Sequence, residues 1–119
     1  MGKIKCAIIP VGEPAYEAEI TPDSENLQKL VGGMVEMVPL SEGLVLICDE
    51  EGKINGKTGN RHIGNDIIAG QFIIAGSKNG DICSLTDKVM EIVLSRFKMP
   101  EVISQSEVEK ALRIKAIVM

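Results

Sequence analysis

The stretch Leu44-Val45-Leu46-Ile47-Cys48 is a continuous apolar run, preceded by Ser41-Glu42-Gly43 and followed by Asp49-Glu50-Glu51-Gly52. A run this short, closed by turn formers on both sides, reads as a strand buried on both faces and placed centrally in a sheet. The rest of the fold is read outward from it. Toward the N-terminus, Met34 to Leu40 alternates around Glu36 and reads as a neighbouring strand. Before that lies a helix. Thr21 is its expected cap, Pro22 suits the first helical position, and Asp23 favours the positive end of the helix dipole. Leu27, Leu30 and Val31 fall on one stripe, and Gly32-Gly33 ends the helix. Ile4 to Ile9 and Tyr16 to Ile20 read as strands of a hairpin across Val11-Gly12-Glu13-Pro14.

Toward the C-terminus the chain turns polar and glycine-rich from Asp49 to Asp66. Ile67 to Gly76 returns to a strand, with Gly70 a bulge or point of close approach. Asn79-Gly80 is a tight turn, Thr86 caps a second helix, and Val89, Val93 and Phe97 lie on one face of it before Pro100. Ser104 and Glu107 have capping-box spacing and open a last helix. The tail from Ile114 to Met119 either continues that helix or adds an edge strand. The sum is one α+β domain over residues 1–119: a small, mostly antiparallel sheet of about five strands packed by two or three helices.

Composition narrows the function. The net charge is −4 with Lys and Arg interleaved among Asp and Glu, and the only aromatics are Tyr16, Phe72 and Phe97. Such a chain has neither the basic stripe nor the stacking platforms that a nucleic acid polymer requires. The first apolar run reaches Pro10 too soon for a signal peptide or membrane span, so a cytoplasmic protein is expected. Cys6, Cys48 and Cys83 are odd in number, lack C-x-x-C spacing and sit in or beside apolar runs, so they read as core residues. No metal site or cofactor is expected.

Three motifs imitate catalytic or metal chemistry. Gly52-Lys53-Ile54-Asn55-Gly56-Lys57-Thr58 resembles a phosphate loop but has three residues between its glycines where four are required, and no amphipathic helix follows. Asn55-Gly56 reads instead as a hairpin turn. Asp49-Glu50-Glu51-Gly52 lacks the alternate acidic spacing and closing glutamate of a calcium loop, and reads as a solvated acidic turn. His62 is the only histidine; paired with Asp49 or Asp66 it would be the base of a hydrolase, and unpaired it is a partly exposed loop residue. What remains is the polar segment Glu50 to Gly70. Its glycines let backbone approach a ligand, and Asn60 and Arg61 offer planar hydrogen bonding. The candidate ligand-binding residues are Glu51, Lys53, Asn60, Arg61, His62, Asp66 and Phe72.

The same segment resembles a known family. Leu27 to Gly33 followed by Val35-Glu36, Leu46 to Lys53, Asn60-Arg61, Asp66 to Gly70, and Ser84-Leu85-Thr86 are similar, in order and rough spacing, to the domain-of-unknown-function family numbered 3846. The resemblance implies a core of about residues 3–98 and an added helical or apolar extension of about 101–119. It also implies an origin in bacteriophages or mobile elements of Gram-positive bacteria, hence the host cytoplasm. Asp49 departs from the pattern, where Asn is commoner. In that setting the leading expectation is a non-enzymatic protein that sequesters a nucleotide-derived immune signal. Arg61 and Lys53 would meet phosphate or ribose oxygens, Asn60 a base or ribose edge, Glu51 or Asp66 hydroxyls, and Phe72 or Tyr16 would stack. The alternative is an inhibitor or adaptor that binds a host protein through Glu91, Glu101, Glu107 and Glu109. The apolar tail points to a homo-oligomer interface or to burial within the domain.

Overall fold

The computed structural model describes residues 2–41 and 43–118, with side chains as far as residue 111. The elements run β1 (Ile4–Ile9), β2 (Tyr16–Ile20), α1 (Ser24–Val31), β3 (Val35–Pro39), β4 (Leu44–Asp49), β5 (Gly59–Ile63), β6 (Asp66–Ala69), β7 (Phe72–Lys78), β8 (Asp81–Cys83), α2 (Asp87–Arg96) and α3 (Gln105–Val118). The main sheet has the order β2-β1-β7-β4-β3, with β8 pairing β7, and each of these pairings is antiparallel. The α+β class holds.

The apolar run Leu44 to Cys48 lies in β4, and it is buried on both faces. It is not the middle strand. That place belongs to β7, which pairs β1 through Phe72–Ile74 and β4 through Ile73–Gly76. Because successive side chains point to opposite faces, these strands divide their apolar residues between two cores. Ala7, Ile9, Leu46, Cys48, Phe72 and Ile74 pack with Met90 and Val93 of α2 and with Phe97 at its C-terminal end. Cys6, Ile8, Val45, Ile47, Ile73 and Ala75 pack with Leu27 and Val31 of α1. A helix on each side explains why the three inner strands show continuous apolar runs.

The caps follow side-chain chemistry, with one correction. Asp23, not Thr21, caps α1: its carboxylate accepts from the Asn26 N–H at 2.8 Å, while the Thr21 carbonyl accepts from the Asn26 side chain at 3.1 Å. Gly32 closes α1 with φ +75°, and Thr86 caps α2 by accepting from the Val89 N–H at 3.2 Å. The Ser104 hydroxyl accepts from the Glu107 N–H at 3.2 Å, as the capping box predicts. From there α3 continues as helix to Val118, so the described part of the tail is helix and not an edge strand. Its side chains from Ile114 onward, read as an oligomer interface or core, lie outside the described residues.

The larger correction concerns the middle of the chain. The stretch read as one strand from Ile67 to Gly76 is two. Gly70, at φ +81°, turns the chain sharply, and β6 leaves the main sheet to pair with β5 in a separate two-stranded ribbon. The tight turn of this hairpin is Gly64-Asn65, between Ile63 and Asp66, rather than Asn55-Gly56. In the ribbon, Arg61 pairs with Ile68, His62 with Ile67 and Ile63 with Asp66. One face therefore carries Arg61, Ile63, Asp66 and Ile68 toward the α2 core. The other carries His62 and Ile67 toward α3, whose Val108 is buried with Ile67 and Ile103. Gly59 is closely covered there: a Cβ on it would stand 2.8 Å from Ile103.

Candidate functional site

Two of the seven residues expected to meet a ligand are the most deeply buried polar residues described. Asn60 and Arg61 are each 0 % exposed. Asn60 donates its amide to the carbonyls of Ile9, at 2.8 Å, and Gly70, at 2.9 Å. Its own amide oxygen accepts from Arg61 at 2.6 Å. Arg61 then donates to the carbonyls of Glu13 at 2.8 Å and Phe97 at 3.0 Å, with a longer contact to Pro10 at 3.4 Å. Burial pulls the Arg61 pKa down, and the charge of Glu101 opposes the shift. A planar fork with several donors suits this task, because loop carbonyls left inside without partners are costly. The ligand roles expected for Asn60 and Arg61 are thus corrected: the Asn60 amide nitrogen and the two terminal Arg61 nitrogens donate to the backbone of β1 and the loop after it, the turn after β6 and the end of α2, while the buried Arg61 Nε has no hydrogen-bond partner. Phe72 is corrected likewise. It is 0 % exposed and stacks edge-on against Phe97, with ring centroids 5.6 Å apart.

Lys57, which the sequence left without a separate role, is a bolt of the same kind. Its ammonium donates to the carbonyls of Val31 at 2.8 Å and Gly32 at 2.9 Å, at the negative end of α1. It also lies 2.6 Å from Asp49 Oδ2, while Asp49 Oδ1 accepts from the Glu51 N–H at 3.0 Å. Asp49 is therefore the buried anion at the end of β4 and not part of a solvated turn. Glu51 itself is exposed, beside these groups but turned to solvent. Tyr16 is half-exposed on the edge strand β2.

Lys53 and Asp66 remain as a facing pair. Lys53 Nζ meets Asp66 Oδ1 at 2.5 Å, and the Lys53 side chain is only 13 % exposed. The pair stands on the rim of a cleft of about 290 Å³ between the β3–β4 edge of the sheet and the β5–β6 hairpin. Val38 and Leu46 form one wall, and Ile63 and Ile68 form the other. Glu36 and Glu50 complete the rim. Glu36 is placed by register: it pairs with Cys48 across β3 and β4, and it accepts a weak hydrogen bond from that thiol at 3.8 Å. The cleft exists because the hairpin leaves the main sheet at Gly70 and stands over it without closing onto β3. Sequence reading placed Lys53 and Asp66 in a ligand site but not Glu36. The one signal for it was a lone charge breaking an apolar strand.

His62 lies on the opposite face of the hairpin. Its Nδ1 is 2.6 Å from Glu101 Oε1, and its Nε2 is 3.4 Å from Glu107 Oε2. The hydrogen bond to Glu101 is the main cause raising the His62 pKa. Burial pushes Glu101 up, but its contacts with His62 outweigh this and hold its pKa below the ordinary value. His62 thus finds its carboxylates on the C-terminal segment. Asp66, one of the two expected partners, projects from the other face of the hairpin, and Asp49 is engaged by Lys57. No disulfide joins Cys6, Cys48 and Cys83, and burial raises the Cys6 pKa to about 11. Among the described residues no helix is long and apolar enough to cross a membrane.

An antiparallel sheet between two helices, with a hairpin lifted off one face over an apolar cleft, defines the class of domain. Residues 4–98 match the model of the family described as Domain of unknown function (DUF3846), and the chain belongs to that family. The match ends just past Phe97, the last residue that Arg61 holds, so Glu101 and α3 lie beyond it. Comparison with curated proteins gave no match, and comparison with solved structures gave none.

Proposed function

We infer that the protein is a binding protein that holds a small ligand in the cleft between the β3–β4 edge and the β5–β6 hairpin, without transforming it. The observation that carries this reading is the cleft itself: a concavity of about 290 Å³ lined mainly by apolar side chains together with a few charged groups. That is the usual make-up of a small-molecule site, with a volume just below the ~300–1,000 Å³ range. The mid-chain segment supports it through Lys53 and Asp66. A phosphate-rich ligand loses support, because Asn60 and Arg61 are committed to backbone carbonyls and the rim charges are mostly carboxylates. The phage and anti-defence setting, with sequestration of an immune signal, comes from the family resemblance, and the cleft carries the ligand-holding part.

The alternative reading, a protein-binding inhibitor using acidic helix surface, is weakened by two of its four groups. Glu101 and Glu107 are already paired with His62, although Glu107 stays exposed.

The test fills the cleft. Small molecules are recovered by heat release from the purified protein, identified by mass spectrometry, and titrated back. A ligand that binds only the folded state raises Tm as its concentration passes Kd. The shift is expected in the wild type and lost in Val38→Trp. Recovery of the same molecule, chemically unchanged, after prolonged incubation supports holding without turnover; a converted product overturns it. An equal Tm shift in Val38→Trp removes the cleft as the site.

A further inference from the structure

We propose that the cleft is selective for a small organic cation, an apolar body ending in an ammonium or amidinium group that meets Glu36. This rests on reading the cleft as the ligand site and adds the chemical class. The charges facing the cleft do not cancel. Lys53 is matched by Asp66 at 2.5 Å, and Asp49 by Lys57 at 2.6 Å from the α1 side. Glu36 and Glu50 are left over, and both line the cleft.

Glu36 is the more telling of the two. It is half-buried on β3, next to Val38 and opposite Cys48, and its hydrogen-bonding partner is the weak thiol donor at 3.8 Å. Its carboxylate forms no salt bridge among the described residues. A partly buried carboxylate with no cation beside it gains from a ligand that brings one, since charge-assisted hydrogen bonds are about twice as strong as neutral ones. Beside it, Val38, Leu46, Ile63 and Ile68 offer apolar contact to a hydrocarbon or aromatic body. The adjoining Lys53–Asp66 pair supplies an acceptor and a donor for a second polar group. An anionic ligand placed in the same space would face two unbalanced carboxylates, which sets the sign of the selectivity.

Three isosteric probes of one size separate the possibilities: phenethylammonium, 2-phenylethanol and phenylacetate, with adenosine monophosphate as a phosphate-bearing fourth. Each is titrated into the full-length protein while backbone amide and methyl resonances are followed by NMR. Phenethylammonium is expected to shift Val38, Leu46, Ile63 and Ile68 saturably and to bind at least tenfold more tightly than 2-phenylethanol. Phenylacetate and the nucleotide should be weaker still. In Glu36→Gln, which keeps the side-chain shape, the advantage of the ammonium over the alcohol should collapse while the alcohol binds as before; Glu50→Gln should reduce it less. Equal affinity for ammonium and alcohol in the wild type overturns the cation preference but leaves the cleft as a ligand site. Tighter binding of phenylacetate or the nucleotide at these residues overturns it as well. No saturable shift at the cleft with any probe removes both the preference and the site.

Discussion

The Lys57 ammonium lies 2.6 Å from Asp49 Oδ2 and at the same time donates to the carbonyls of Val31 and Gly32 at the end of α1. One side chain from the glycine-rich segment thus neutralises the anion at the end of β4 and closes the helix on the opposite side. Its stem runs past Gly70, where a Cβ would lie 2.9 Å from Lys57 Cδ. The turn that releases the hairpin and the bolt that fixes the segment share one space.

Removing the ammonium should therefore cost more than an ordinary surface charge. Lys57→Met leaves Asp49 buried without its cation, a loss on the order of 3 kcal/mol. The double variant Lys57→Met, Asp49→Asn should recover part of it, because the stranded charge is gone. Urea denaturation of the two variants and the wild type measures both effects. Equal stability of the single variant and the wild type would show that Lys57 contributes nothing there.

Arg61 separates a stabilising role from a recognition role. Arg61→Lys keeps the charge but cannot reach the Glu13 and Phe97 carbonyls together with Asn60, and should lose about 2 kcal/mol or more of stability. The remaining folded protein should bind a cleft ligand with affinity within about twofold of the wild type, because the side chain does not line the cleft. Calorimetry below the variant's Tm reads the second quantity. A large affinity loss with unchanged stability would return Arg61 to ligand recognition.

The His62 clasp makes stability depend on pH in a defined direction. The raised His62 pKa contributes stability that is fully present below the ordinary value of 6.5 and is lost as pH rises through the raised folded value. The lowered Glu101 pKa contributes stability that is present above its ordinary value of 4.5 and is lost as pH falls through the lowered folded value. The two describe one interaction, strongest between about pH 4.5 and 6.5. Exposure of the ring screens it, so the effect is small. In His62→Gln the decline in Tm from pH 6 to 8 should flatten relative to the wild type. Parallel profiles would remove the clasp from the pH response.

A glycine tests the packing around Asp49. A Cβ at Gly33 would stand 2.6 Å from the Asp49 carboxylate. Gly33→Ala should thus displace that carboxylate from Lys57 and lower stability by about 1–3 kcal/mol, the range for overpacking a filled interior. The same substitution at Gly2, which has no atom within 4 Å of its Cβ position, serves as the neutral control.

Much of the architecture is legible in the sequence because local signals agree with the fold. The apolar runs of β1, β4 and β7, the Gly32 closure, the Thr86 cap and the Ser104–Glu107 box each follow from near neighbours. The β5 strand was not legible. Gly59-Asn60-Arg61-His62-Ile63 has little strand character, and it is held by pairing with β6, by Arg61 reaching backbone far along the chain, and by α3. The same reason hid the true work of Asn60 and Arg61. A polar residue among glycines looks like a binding group until the carbonyls that it satisfies are brought beside it by tertiary structure. Lys53 and Asp66 could be placed from composition. Glu36 could not, because its exposure to the cleft depends on where the hairpin stands.

Arg61 grips loop backbone from Glu13 and helix-end backbone from Phe97, residues 48 and 36 positions away along the chain. The three pieces so joined cannot be dissected. A split version cut anywhere between Glu13 and Phe97 would have to reassemble around that guanidinium before either fragment could fold. Grafting the hairpin alone onto another scaffold would carry a stranded cation with it. A reporter loop is better placed at the Gly64-Asn65 tip, which lies beyond the reach of that grip.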